Sequence, residues 1–270
     1  MIVIIDGHSI AYRAFYKTPP LMTSSGFPTG VIHTFINTLL KIKNKLKPEQ
    51  IIVSFDSKGE TERHRKLKEY KAEREATPDD LIPQIEKLKK ILPLMGIPVY
   101  ALEGFEADDI IYTIINKFDT KEIVLVTKDK DIYQLVSDRI KIYDDIRDHI
   151  IDSKGVLEKF GVESNQIPDF LALTGDASDN IPGVKGIGSV TAKKLLREFN
   201  SLDDIYANID KIKGSVKEKL LAGKEIAYLS KSLTELKIIE NLKLIETKEQ
   251  REELKKELEA LELHTLYNRL

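Results

Sequence analysis

The chain has 270 residues, of which 41% are hydrophobic and 32% are charged. It contains no cysteine, which excludes disulfides, thiol nucleophiles and thiolate-bound zinc. Lys and Arg number 42 against 44 Asp and Glu, and the net charge of −2 excludes a uniformly basic nucleic-acid binder but allows local basic patches. No apolar run reaches the ~18 residues of a membrane span, and the first residues have the pattern of a strand rather than of a signal peptide. We therefore expect a cytoplasmic protein with no membrane contact.

Four short β-branched runs predict buried strands of a parallel sheet. They lie at residues 2–5, 51–55, 123–126 and 140–143. Between them, apolar residues recur at helical spacing over residues 31–46, 81–94 and 107–118. This alternation of strands and helices predicts an open α/β domain over residues 1–165.

The strand pattern ends near residue 153, and short helical patterns separated by glycine follow. They cover residues 156–160, 167–173, 189–199, 215–221, 224–236 and 248–263. We expect a second, all-helical domain over residues 166–270.

Nine acidic residues are candidates for one site: four lie just beyond predicted strands, three open a helix, and two lie three residues apart at the start of the helical part, where both can face one point across a turn. They are Asp6, Asp56, Glu106, Asp108, Asp109, Asp129, Asp131, Asp176 and Asp179. In open α/β sheets, ligands bind beyond the carboxyl ends of the strands. A single Asp after a strand more often caps a helix or forms a turn, and acids at positions 106–109 suit a helix start in any case.

The number of acids makes the capping explanation harder to accept for all of them. If four converged, each pair about 4 Å apart would repel by roughly 4 kcal/mol at an effective dielectric near 20, so cations would have to be present. Ligand sets made only of oxygen favour Mg²⁺ or Mn²⁺. Two such ions could bind the attacking and leaving oxygens of a phosphodiester. The sequence alone leaves the convergence open.

Positive charge is concentrated in residues 63–74, which contain six Lys or Arg and two Glu. This segment is either a solvated helix or a basic arch over about residues 58–80 that neutralises phosphates. In the second case Tyr70 would stack on bases. On charge alone, we expect the arch to bind DNA through Arg65, Lys66, Lys68 and Arg74.

A second basic segment, residues 180–199, fits the pattern of a helix-hairpin-helix motif. Gly186 and Gly188 allow a tight hairpin, and free amides at the next helix start can face a phosphate. A dinucleotide-binding fingerprint would also use glycines, but no strand precedes these. The residues expected to contact DNA here are Lys185, Gly186, Gly188, Ser189, Lys193 and Lys194.

Taken together, the motifs resemble the bacterial 5′-3′ exonucleases, which form the N-terminal domain of DNA polymerase I and are relatives of the flap endonucleases. The matching segments are residues 5–9, 11–13, 55–56, 70–72, 106–109, 127–131, 173–180 and the hairpin. The resemblance implies a PIN-like parallel-sheet nuclease domain followed by a helix-hairpin-helix domain. It also implies Mg²⁺- or Mn²⁺-dependent cleavage by two ions near a 5′ flap, nick or frayed end, with an RNA-primed strand left open.

The resemblance assigns roles by matching position. It gives the first ion to Asp6, Asp56, Glu106, Asp108 and Asp109, and the second ion to Asp129, Asp131, Asp176 and Asp179. It makes Arg63 and Lys71 catalytic groups at the scissile phosphate and puts Arg13 near the substrate phosphates. It further implies K⁺ at backbone carbonyls near Val184 and Ile187.

Three other functions remain as alternatives. A non-catalytic DNA-junction-binding protein of the same fold would bind without turnover, and a PIN-type ribonuclease would act on RNA. A haloacid-dehalogenase phosphatase would need a second Asp at the position of His8. We expect a monomer, and the chain length fits either a stand-alone nuclease or an excised polymerase domain.

Overall fold

The structure is a computed structural model that describes residues 1–57, 59–118, 121–267 and 269. Its strands are β1 (Ile2–Asp6), β2 (Gln50–Ser54), β3 (Val99–Tyr100), β4 (Ile123–Val126), β5 (Ile140–Asp144) and β6 (His149–Ile151). The helices of the first part are α1 (Gly7–Lys17), α2 (Gly30–Leu46), α3 (Glu62–Lys66), α4 (Leu81–Leu94), α5 (Ala107–Asn116) and α6 (Ser153–Phe160). The later helices are α7 (Ile167–Thr174), α8 (Ser189–Phe199), α9 (Leu202–Ala207), α10 (Gly214–Ala222), α11 (Lys224–Thr234), α12 (Arg251–Ala260) and α13 (His264–Tyr267). Among these helices none is both long and apolar enough to cross a bilayer.

The six strands form one sheet in the order β3-β2-β1-β4-β5-β6, in which only β6 runs antiparallel to its neighbour. The strand order reverses between β1 and β4, and such a switch point leaves a crevice at the carboxyl ends of the strands. Ile5 is in register with Val53 on one side and Val126 on the other. The residues that follow β1, β2 and β4 therefore emerge at the same edge of the sheet.

The two faces of the sheet bury alternate residues of each strand, as the two-residue period of a strand requires. Val3 and Ile5 belong to a core that includes side chains of α1, α2 and α4. Ile2 and Ile4 belong to a core that includes side chains of α5 and continues into α7, α8 and α9. The helical part is thus joined to one face of the sheet by continuous apolar packing.

The predicted fold class is confirmed: a parallel-sheet α/β part precedes a helical part. Strands β3 and β6 were not predicted, because one has two residues and the other is an exposed antiparallel edge. The proposed arch contains one short helix, α3, followed by turns at residues 68–73. Its first predicted residue, Lys58, lies outside the described residues.

Helix α12, which precedes α13 in the chain, lies against the first part of the chain. Leu254 and Leu258 are buried in the same core as α4, and the amide of Gln250 donates to the carbonyl of Leu94 at 2.8 Å. An irregular segment, residues 235–249, connects α11 to this helix. The predicted domain limits, 1–165 and 166–270, stay a prediction, and Leu270 lies outside the described residues.

Packing of α12 predicts that Leu258→Ala destabilises the protein by about 2–5 kcal/mol, because Leu258 is 0% exposed and its removal leaves a cavity. Leu221→Ala is the matched control, since Leu221 is 51% exposed. We expect the control to change the free energy of unfolding by less than about 0.5 kcal/mol. Urea unfolding measures both, and equal effects of the two substitutions would contradict the packing.

Candidate functional site

A cavity of about 790 Å³ opens at the carboxyl ends of β1, β2 and β4. Seven of the nine predicted acids line it, namely Asp6, Asp56, Glu106, Asp108, Asp129, Asp176 and Asp179. Asp109 and Asp131 do not line the cavity; both are buried behind its wall. Acids from distant parts of the sequence thus meet at the switch point of the sheet.

Asp6 and Asp56 are held by the backbone that follows their strands. Asp6 caps helix α1 by accepting from the amide of Ser9 at 3.0 Å, and its second oxygen accepts from the hydroxyl of Thr127 at 2.9 Å. Asp56 accepts from the amide of Ala107 at 2.7 Å, which ties it to the first residue of α5. Each carboxylate is therefore fixed by a helix start beside the cavity.

The first turn of α5 separates its acids into two environments. Glu106 faces the cavity, where the hydroxyl of Thr61 donates to it at 2.9 Å. Asp109 points away and accepts from both terminal nitrogens of Arg63, at 2.8 and 3.0 Å, and from the amide of Lys237 at 2.9 Å. These contacts occupy Asp109 fully, so its role differs from that of the acids in the cavity.

Arg63 does not reach the cavity, in contrast to the sequence prediction of a contact with the scissile phosphate. It is 4% exposed, and besides Asp109 it lies 3.3 Å from Asp108 and 3.6 Å from Glu106. Its Nε donates to the carbonyl of Leu233 at 2.7 Å. A guanidinium offers five donors in one plane, and here they join the acids of α5 to the end of α11.

Asp176 and Asp179 lie on the loop between α7 and the hairpin, and two glycines fix that loop. Gly175 and Gly183 have φ values of +73° and +61°. A Cβ on Gly183 would lie 2.2 Å from the amide nitrogen of Gly175, so no side chain fits between the two backbones. Asp176 and Ile181 also exchange two backbone hydrogen bonds of 2.9 Å. The acidic loop and the hairpin are therefore in direct backbone contact.

Basic side chains lie among the carboxylates and act as their counter-ions. Lys71 contacts Glu106 and lies 3.8 Å from Asp179, which also accepts from Arg74 at 2.6 Å. Lys130 donates to Asp176 at 2.7 Å. In the part of the chain that the structure describes, no three His, Asp or Glu side chains are grouped as ligands of one ion. Glu106, Asp176 and Asp179 are instead paired with the protein's own cations.

Burial, mutual repulsion and the nearby cations shift the pKa values of the acids in different directions. Burial, with the charges of Asp56 and Asp129, raises the pKa of Asp6 to about 7. Burial also raises the pKa of Asp108 and of Asp131 well above the ordinary range. Burial alone would raise the pKa of Glu106 too, but Lys71 and Arg63 lower it to about 2. The balance between burial and the nearby cations therefore sets the direction of each pKa shift.

Tyr70 lies in a different place from the one the sequence prediction gave it. It is 2% exposed, and its hydroxyl donates to Glu106 at 3.2 Å and to Asp179 at 3.4 Å. The predicted stacking on bases is wrong for this structure, because the ring is enclosed by Ile181 and Leu233. Tyr70 instead links acids from the two parts of the chain.

The other residues predicted to bind DNA are mostly at the surface. Arg65, Lys66, Lys68 and Arg74 are exposed, as are Lys185, Gly186, Gly188, Ser189 and Lys194, whereas Lys193 is half-buried. Arg13 forms a two-bond ion pair with Asp145, at 2.8 and 2.5 Å, and is 17% exposed. The side chains of Val184 and Ile187 are buried, and the Val184 carbonyl accepts from the Ile187 amide at 3.0 Å.

Three lysines that the sequence prediction did not name also line the cavity: Lys89, Lys128 and Lys130. Lys128 and Lys130 alternate with Asp129 and Asp131, so the signal was present in the sequence but was assigned to the acids alone. Lys89 belongs to helix α4, and the sequence gives no indication that it lines the cavity, because other lysines of that helix are indistinguishable from it in sequence.

Comparison with known families covers nearly the whole chain. Residues 1–161 match the N-terminal resolvase-like domain of 5′-3′ exonucleases, and residues 162–257 match the C-terminal SAM fold of the same family. The fold is similar to that of T5 5′-exonuclease with bound zinc, with a TM-score of 0.74 at 22% identity over 86% of this chain and 88% of the other. It is also similar to the catalytic core of Rad2 in complex with DNA, with a TM-score of 0.65 at 14% identity over 100% of this chain and 90% of the other.

Relatives of higher identity include both whole proteins and parts of longer ones. A 5′-3′ exonuclease of Aquifex aeolicus is 38% identical over 97% of this chain and 92% of the relative. DNA polymerase I of Caldicellulosiruptor bescii is 43% identical over 100% of this chain, but the match spans only 33% of that protein. The chain thus spans about a third of the length of this polymerase relative. From both family matches and these identities, the chain belongs to the 5′-3′ exonuclease family.

Proposed function

We propose that this chain is a divalent-metal-dependent 5′-3′ exonuclease and flap endonuclease that hydrolyses phosphodiester bonds near the 5′ ends of DNA. The observation that carries the proposal is the cavity lined by seven of the nine predicted acids, beside a basic segment and a hairpin. Such an enzyme would remove 5′ flaps or RNA primers in replication and repair, and its location would be cytoplasmic. The chain would act as a monomer.

The donor set of the cavity fits divalent ions of the Mg²⁺ type. All candidate ligands are carboxylate oxygens, and burial keeps the pKa of Asp6 and Asp108 high, so a bound divalent ion would stabilise their charged forms. Asp6, Asp56, Glu106 and Asp108 would hold one ion, and Asp129, Asp176 and Asp179 would hold a second, with Asp108 between the two. Asp109 and Asp131, which stand behind the wall, would act as positioning residues.

When bound, divalent ions would supply Lewis acidity at the phosphate and a stronger nucleophile from water at neutral pH. Lys71 would contribute from the protein, because its ammonium lines the cavity and is held there by Glu106. A fixed positive group beside a phosphate stabilises the charge that develops on its oxygens. Arg63 would act through Asp109 and Asp108 by keeping the start of α5 in place.

The surface around the cavity suits a DNA duplex with a 5′ strand end. Helix α8 has its amino end at the hairpin and carries Lys193 and Lys194, so backbone amides and ammonium groups can contact phosphates there. Exposed Arg65 and Lys68 of the segment at residues 58–80 can contact the 5′ strand. Solved relatives of this fold include a T5 flap endonuclease with DNA and metal ions. A K⁺ ion at the hairpin carbonyls near Val184 and Ile187 remains a prediction.

The direct test is cleavage of a 5′-labelled flap duplex with and without Mg²⁺. We expect cleavage only with Mg²⁺, and we expect Asp176→Ala to abolish it while DNA binding is largely retained. Mapping the products separates exonuclease from flap cleavage. Binding without turnover by the wild type would favour the non-catalytic junction binder, and wild-type turnover by the variant would contradict the use of Asp176.

Arg63→Met tests whether Arg63 is a positioning residue or a phosphate contact. Because the substitution leaves Asp109 buried without its partner, we expect a loss of about 3–5 kcal/mol of unfolding free energy, measured in urea. Arg65→Met, the exposed neighbour, should change stability by less than about 0.5 kcal/mol. A stable Arg63 variant that loses only turnover would support the phosphate contact instead.

Asp6→Asn tests the crowding of carboxylates through the pH dependence of stability in EDTA. The folded-state pKa of Asp6 is raised from 3.8 to about 7, so ionisation of Asp6 destabilises the wild type progressively from about pH 4 to pH 7. The Asn variant keeps an N-cap residue and removes this charge. We expect it to be as stable as the wild type near pH 4 and more stable above pH 7, by up to roughly 4 kcal/mol. Parallel stability profiles of the two proteins would contradict the crowding.

A further inference from the structure

Two lysines of one loop, Lys128 and Lys130, line the cavity but have different partners. Their exposures are similar, 43% and 48%. Lys128 lies 2.9 Å from Asp144, at the end of β5 and outside the predicted ligands. Lys130 donates to Asp176, a predicted ligand, at 2.7 Å. The pair therefore differs mainly in the acid that each ammonium neutralises.

The contact of Lys130 uses an oxygen that already has other donors. Asp176 Oδ1 also accepts from the amide of Ser178 at 3.0 Å and from its hydroxyl at 2.7 Å. Asp176 is only 7% exposed, so its charge needs a counter-ion. A divalent ion and an ammonium group repel each other, so an ion close to Asp176 weakens the contact between Lys130 and that carboxylate. Ion binding at Asp176 therefore favours departure of Lys130.

Lys130 has fewer constraints on its movement than the buried cations of the site, Lys71 and Arg63. Lys71 and Arg63 have side chains that are 16% and 5% exposed, and each is fixed by two or more acids. Lys130 lies at the rim, and among the described residues Asp176 is the one acid within ion-pair distance of it. Its flexible stem can carry the ammonium into the open cavity.

We propose that Lys130 is a phosphate-binding residue of the substrate site that is held on Asp176 until a divalent ion displaces it. The inference rests on the proposed function, because it requires an ion at Asp176 and a nucleic-acid phosphate in the cavity. It links the two ligands: an ion releases the lysine for phosphate, and phosphate stabilises the released lysine. Because such coupling is reciprocal, ions strengthen DNA binding and DNA strengthens ion binding.

Ion binding without DNA is the first test, by calorimetric titration of Mn²⁺ into the intact protein. Lys130→Met removes the competing ammonium, and we expect Mn²⁺ to bind about fivefold or more tightly than to the wild type. Lys130→Gln should behave alike and serves if the Met variant folds poorly. Lys128→Met removes a charge from the same loop and should change Mn²⁺ affinity by less than about twofold, since long-range repulsion is screened.

DNA binding is the second test, with a 5′-flap duplex in EDTA and in Ca²⁺, and with the duplex checked for integrity afterwards. In EDTA we expect Lys130→Met to bind like the wild type, because Lys130 is occupied by Asp176. In Ca²⁺ the variant should gain less affinity than the wild type, and the slope of log affinity against log salt should be smaller by about one. A loss of the same size in both conditions would overturn the inference.

The outcomes also separate this inference from the proposed function. If the wild type binds no Mn²⁺, the proposed function itself fails. If the wild type binds Mn²⁺ but Lys130→Met and Lys128→Met change its affinity equally, the metal site stands and the role of Lys130 is refuted.

Discussion

Repulsion between carboxylates, balanced by the protein's own cations, is the constraint on which the site depends. Buried acids as close together as those of the cavity could not all be charged without compensation. Arg63 provides it behind the wall, and Lys71, Arg74 and Lys130 provide it within the cavity. An added cation can therefore change which acids of the folded chain are ionised, because the acids without such partners keep raised pKa values.

The fold supplies the convergence through strand order rather than through local sequence. Parallel strands β1, β2 and β4 end at one edge, and the switch between β1 and β4 opens the crevice there. The helical part completes the site from the other side, since its core is continuous with one face of the sheet. Arg63 strengthens this connection by bonding to both Asp109 and Leu233. The same contacts thus fix both the geometry of the site and the packing of the two parts of the chain.

Much of this arrangement could be predicted from periodicity and residue type. The strands at residues 2–5 and 123–126 are buried apolar runs, and the apolar residues of helix 81–94 recur at helical spacing. The local sequence pattern was therefore enough to predict these elements. Tyr70 and Arg63 could not be placed in this way, because a basic segment looks exposed in sequence whether or not a buried acid lies opposite. Asp108 and Asp109 are adjacent and identical in type, and only the turn of α5 decides that Asp108 lines the cavity while Asp109 accepts both hydrogen bonds of the Arg63 terminal nitrogens.

The contact between Gly175 and Gly183 limits where segments of this chain can be exchanged with segments of its relatives. Since the two backbones touch with no room for a side chain, the acidic loop and the hairpin act as a single mechanical unit. A hairpin grafted from another protein would have to bring the loop from Thr174 onward with it, or the transplanted turn would push Asp176 out of the cavity. Recombination between relatives should therefore be tolerated on either side of this unit and not inside it.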